Sequence, residues 1–173
     1  QAAGHDGGNS GMGGDYLYRW GNPQTYARGN ESDHVLAVQH GVNWVPEGYP
    51  GAGNLILFNN GHWMGTSAIY EIETPINEYG IYNISDDDPY GPDSITWIYT
   101  DGFNTMIQGG AFRLPNGNTL ITDSDDAFMF EVNSEHEIVW EYNYGTNNSF
   151  IARAQKYSMD YLNNGFPNYV LGD

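Results

Sequence analysis

Cysteine is absent from the 173 residues, which excludes disulfide staples and thiol chemistry and leaves the fold to rest on its packed core. Basic residues are almost as scarce. Five Lys and Arg, with Lys156 as the one lysine, stand against 22 Asp and Glu, for a formal net charge of −17. Such a chain repels nucleic acid and anionic lipid, so neither is expected as a partner. No stretch approaches the roughly 18 apolar residues of a membrane-spanning helix, and no basic-then-apolar signal segment precedes Gln1. An exported form would therefore have lost its signal already. Helix-period hydrophobicity is missing throughout.

What is present is aromatic, β-branched and repetitive. An apolar content of 39%, with 15% aromatic residues, is enough to build a core despite a negative mean hydropathy. The acidic composition, rich in Asp, Asn and Gly, resembles the solvated surfaces of secreted proteins, so a periplasmic or extracellular location is expected.

The run Gln39-His40-Gly41-Val42-Asn43-Trp44-Val45-Pro46-Glu47-Gly48 aligns without gaps on Gln108-Gly109-Gly110-Ala111-Phe112-Arg113-Leu114-Pro115-Asn116-Gly117. Three further strand-like segments follow in each copy. Residues 54–58 match 118–122, residues 68–72 match 128–132, and residues 95–99 match 138–142. Pro-Asn-Gly, Asn-Asn-Gly and Asp-rich turns separate them. Four short antiparallel strands per repeat predict an all-β fold of β-propeller blades, because one blade cannot bury both of its faces alone. Two whole blades, at about 34–99 and 103–142, are predicted. A partial one stands at each end: Asp15–Trp20 reads as the last strand of a preceding unit and Ala152–Tyr157 as the first strand of a following one. The ring is incomplete, and a sandwich of seven or eight strands is the competing architecture. Residues 1–14 read as a Gly-rich leader or inter-blade loop, and residues 15–173 as the partial propeller.

Several segments resemble the C-terminal part of the arylsulfotransferase-like family. They are Tyr18-Arg19-Trp20-Gly21-Asn22-Pro23, Gln39-His40 with Trp44, Pro50-Gly51-Ala52-Gly53-Asn54, Phe58-Asn59-Asn60-Gly61, Leu114 to Ile121, and Phe150 to Tyr157. The resemblance implies an exported six-bladed propeller that moves a sulfuryl group from an aryl sulfate to a phenol through a sulfohistidine. It places the nucleophile at His40, with Gln39, Asn59, Asn60, Gln108 and Arg153 as expected substrate contacts. A neutral imidazole suits that role at physiological pH. The chain departs from the family pattern at His62-Trp63-Met64, where an arginine often follows the Asn-Gly turn, and at Gln108-Gly109, where a hydroxyl residue opens the blade.

Other polar clusters have plainer readings. His5, His34, His62 and His136 lack metal-ligand spacing, so no zinc is expected. Asp86, Asp88, Asp125 and Asp126 invite a calcium reading, but Tyr90 and Trp97 stand where a calcium loop needs oxygen ligands. Solvated turns are favoured, and no cofactor is expected. Asn30-Glu31-Ser32, Asn83-Ile84-Ser85 and Asn147-Asn148-Ser149 fit the glycosylation triplet. Against the enzymatic reading stands a structural one, in which incomplete blades close on the missing upstream blades or on other copies of the chain.

Overall fold

The structure, a computed structural model, describes residues 16–61, 65–84, 87–145, 149–159 and 161. Residues 1–15, His62-Trp63-Met64, Asp86, and the glycosylation positions Ser85, Asn147 and Asn148 lie outside them.

Among the described residues, eight strands form two separate four-stranded antiparallel sheets, and the sheets do not close into a ring. The first contains β1 (Gln39–Trp44), β2 (Leu55–Asn59), β3 (Ala68–Ile72) and β4 (Trp97–Tyr99). The second contains β5 (Gly110–Arg113), β6 (Thr119–Asp123), β7 (Phe128–Val132) and β8 (Ile138–Asn143). Each sheet is a meander in chain order, because every connection joins antiparallel neighbours. The regular helical elements among the described residues are two single 3-10 turns, at Pro23–Tyr26 and Glu31–Asp33.

The core lies between the sheets. Ile56, Phe58, Ile69 and Tyr99 of the first pack with Ala111, Ile121, Phe130 and Val132 of the second, and Phe103 from the connection fills the gap. Side chains alternate in direction along a strand, so residues such as Leu57 and Tyr70 point to the opposite face. There they meet Trp20, Val35 and Leu36 from the segment ahead of β1. That segment is anchored by Trp20 Nε1, which donates to the Pro92 carbonyl at 2.9 Å, and by Tyr18, whose hydroxyl donates to Gly91 O at 2.7 Å. Thus the long β3–β4 connection and the segment ahead of β1 jointly cover the first sheet.

The inner strands meet closely at one edge. A Cβ on Gly41 would lie 3.2 Å from Gly109 O and 3.3 Å from Gly110 Cα, and Gly41 has φ +62°. Only glycine takes both the close approach and the conformation without strain. Asn43 Nδ2 ties the same strands, donating to Gly41 O at 2.8 Å and to Ala111 O at 3.0 Å.

The two terminal segments depart from expectation: residues 152–157, and the described residues 16–20 of the first segment, are not strands. A strand needs a continuous ladder of backbone pairs, and among the described residues the second segment makes only isolated backbone bonds. The second segment is nevertheless fixed. Gly109 N donates to Ala152 O at 3.0 Å, Ser124 Oγ donates to the same oxygen at 3.0 Å, and Ala154 N donates to Thr122 Oγ1 at 2.9 Å.

Candidate functional site

His40 is the second residue of β1, half-buried, with Phe58 as its cross-strand partner. A bulge between His40 and Asn43 re-aims this end of the strand. The imidazole Nδ1 lies 2.8 Å from Asn60 Oδ1 and 3.0 Å from the Val38 carbonyl. Asn60 is fully buried just past β2. Its amide orientation is fixed by the next unit, because Nδ2 donates to Thr105 O at 2.8 Å and to Gln108 O at 2.9 Å. Oδ1 must then face His40, so two acceptors converge on Nδ1. In the neutral ring Nδ1 therefore carries the proton and Nε2 carries the lone pair. One buried asparagine thus sets the tautomer of a half-exposed histidine.

The other expected contacts scatter. Asn59 is buried, and its amide is engaged by the backbone: Oδ1 accepts from Ala37 N at 2.7 Å and Nδ2 donates to Val35 O at 3.1 Å. Both ends of this side chain are thus held by the segment ahead of β1. Asn60 is likewise occupied on both ends, by His40 on one side and by the Thr105 and Gln108 carbonyls on the other. Gln108 joins the site through its backbone carbonyl, while its side chain is exposed. Arg153 is exposed and packs by its Cβ 3.0 Å from the position a Cβ on Gly110 would take. It continues the line of inner-edge contacts from Gly41 to Gly110. Gln39 is exposed and lines a different surface, a groove of about 530 Å³ shared with Tyr16, Arg19, Trp20 and His34. His40 is not among that groove's lining residues.

In the acidic run from the end of β6, two carboxylates accept hydrogen bonds from the segment ahead of β5. Asp123 is buried and accepts the Thr105 hydroxyl, and Asp125 Oδ2 accepts Met106 N at 2.7 Å. Burial pushes the Asp123 carboxyl above the ordinary carboxylate range, with the Thr105 hydrogen bond acting in the opposite direction. Among the described residues no group of three or more His, Asp or Glu converges as a metal site.

A set of residues that motif reading passed over recurs at both seams. Arg113 of β5 forms a buried ion pair with Glu71 of β3, and its guanidinium lies 5.1 Å from the Trp97 ring centroid. Glu71 and Trp97 are cross-strand partners. The arrangement recurs one unit later: Lys156 pairs with Glu131 and lies 5.7 Å from the Trp140 ring, and Glu131 and Trp140 are cross-strand partners. In the sequence, Gly109 to Leu114 aligns on Ala152 to Tyr157, which puts Lys156 opposite Arg113. It was the available signal.

No family model, curated protein or solved structure matches this chain.

Proposed function

We propose that the two sheets are neighbouring blades of a propeller and that His40 is the nucleophile of a sulfuryl-transfer enzyme. The blade reading is supported by the repeated contact set, in which each unit lays its inner segment and one cation on the preceding sheet. The catalytic reading is carried by one observation, the fixing of His40 Nδ1 by Asn60 and Val38, which leaves Nε2 as the free lone pair. In the first step Nε2 attacks the sulfur of an aryl sulfate, the N–S bond forms, and the aryl C–O–S linkage breaks at O–S to release the phenolate. The ring gains positive charge as it does so. The Asn60 carbonyl, already accepting from Nδ1, stabilises that charge more strongly than the neutral ring. In the second step a phenol oxygen attacks sulfur, its proton leaves to solvent, and the N–S bond breaks to return neutral His40.

The test is incubation of the protein with a radiolabelled aryl sulfate and a phenol acceptor. Transfer and a labelled histidine adduct are expected, and both should vanish in His40→Ala. Asn60→Ala should lower kcat by about tenfold or more while leaving KM nearly unchanged, as loss of a positioning contact does. No transfer by the unaltered protein, or equal transfer by His40→Ala, overturns the reading.

A second reading, assembly through an uncovered blade, is favoured by β8. Every residue of that edge strand is exposed, Trp140 and Tyr142 included, and unpaired strand edges recruit partners. Light scattering across a concentration series tests it: growth in mass is expected, and a constant monomer mass sinks it.

A further inference from the structure

A cleft of about 590 Å³ opens between the β1–β2 turn, the β5–β6 turn and the segment after residue 154. Its lining includes none of the residues around His40. From the make-up of this cleft we infer a binding site for a neutral saccharide, independent of the transfer reaction proposed above.

Three observations carry the inference. The first is aromatic surface. Tyr157 and Tyr161 stand with ring centroids 4.4 Å apart, both exposed, and half-buried Tyr49 and Phe112 line the same cleft. The faces of such rings carry negative potential and pack against the apolar C–H face of a pyranose, while phenolic hydroxyls meet its rim. The second is charge. Arg113 and Lys156 both line the cleft, yet each is paired with a carboxylate, Glu71 and Glu131. The local cations are balanced, and a chain of net charge −17 repels an anion approaching from outside. A neutral ligand meets no such barrier. The third is neutral polarity. Asn116 and Gln155, whose side chains end in uncharged amides, line the cleft and can exchange hydrogen bonds with sugar hydroxyls without adding charge. Apolar walls with a few placed polar groups, in a volume of a few hundred Å³, are what a small-molecule site requires.

The probes are trisaccharides of glucose, galactose and mannose, with a sulfated counterpart of each and a proline-rich peptide as comparisons. Saturation-transfer NMR finds binders and calorimetry gives affinities. At least one neutral trisaccharide should bind with Kd between about 10 µM and 1 mM. Tyr157→Ala and Tyr161→Ala, both at exposed positions, should weaken it at least about tenfold, and Tyr157→Phe should retain most of it, because stacking survives without the hydroxyl. Gln155→Ala gives a second probe of the rim, and near-ultraviolet dichroism verifies that each variant is folded. The inference is overturned if no neutral sugar binds at millimolar concentration, if binding is unchanged in both tyrosine-to-alanine variants, or if the sulfated sugar or the peptide binds more tightly.

Discussion

The seam between the two sheets and the seam between the second sheet and residues 151–157 place a cation on a Glu–Trp cross-strand pair in the same register, yet differ in the cation and in what surrounds it. At the first, Arg113 sits on the Glu71–Trp97 pair with its side chain 7% exposed. At the second, Lys156 sits on the Glu131–Trp140 pair with its side chain 56% exposed. The carboxylates are equally buried, at 6% and 5%. Only the cation differs, because the first seam is covered by a whole four-stranded sheet and the second by one segment. A repeat therefore specifies which groups meet, and the neighbour decides how strongly they are coupled. Arginine, with its weakly hydrated planar fork, occurs where water is excluded, and lysine where its ammonium stays wet.

That difference predicts unequal mutational costs. Arg113→Ala should have the largest effect, about 3–5 kcal/mol in denaturant unfolding, because it leaves the Glu71 carboxylate buried with Asn54 as its remaining side-chain donor. Lys156→Ala should cost about 1 kcal/mol or less. The route that exposes the ammonium also lets water reach Glu131 once the lysine is gone, so the pair behaves as a surface bridge. Equal costs at the two seams would break the comparison. A cost at Lys156 that rises toward that of Arg113 when the protein is concentrated would sharpen it, since association would then be covering the second seam.

The strands were legible for the same reason that the seams are alike. Segments such as 55–59 and 128–132 combine β-branched and aromatic residues with turn signals on both sides, and they are strands within a residue of where the pattern puts them. Residues 151–157 also match the repeat, but a strand exists only by pairing, and pairing partners are not encoded in the segment itself. Asn59 shows the same limit at the site. Its place beside Asn60 in a motif suggests a ligand contact, whereas its two hydrogen bonds go to the backbone at Val35 and Ala37, over 20 positions away in the chain. Side-chain amides that tie distant backbone are invisible until the chain is folded.

The smallest predicted effect lies at the ends of β2 and β6, where the repeats place Asn59 and Asp123 in matching positions. Both are buried, and both accept a hydrogen bond from the segment leading into the inner strand of their own sheet, Asn59 from Ala37 N and Asp123 from the Thr105 hydroxyl. The first repeat does this with a neutral group. The second uses an ionisable one whose carboxyl is pushed up by burial, with neighbouring Asp126 and Asp125 adding to the shift. A group whose folded-state pKa is raised contributes stability below its unfolded value, about 3.9 for aspartate, and that contribution is lost as pH climbs through the folded value. Asp123→Asn copies the first repeat and removes the titration. The stability of the native protein minus that of Asp123→Asn should therefore be level below about pH 4, the unfolded value, and fall as pH rises from there through the folded value. Background repulsion from the other acidic residues is common to both proteins and largely cancels in the difference. Urea unfolding at a series of pH values measures it. A difference that stays flat, or that grows with pH, would mean that Thr105 and the turn amides hold the charged form as comfortably as an amide, and that the two repeats are electrostatically equivalent at this position.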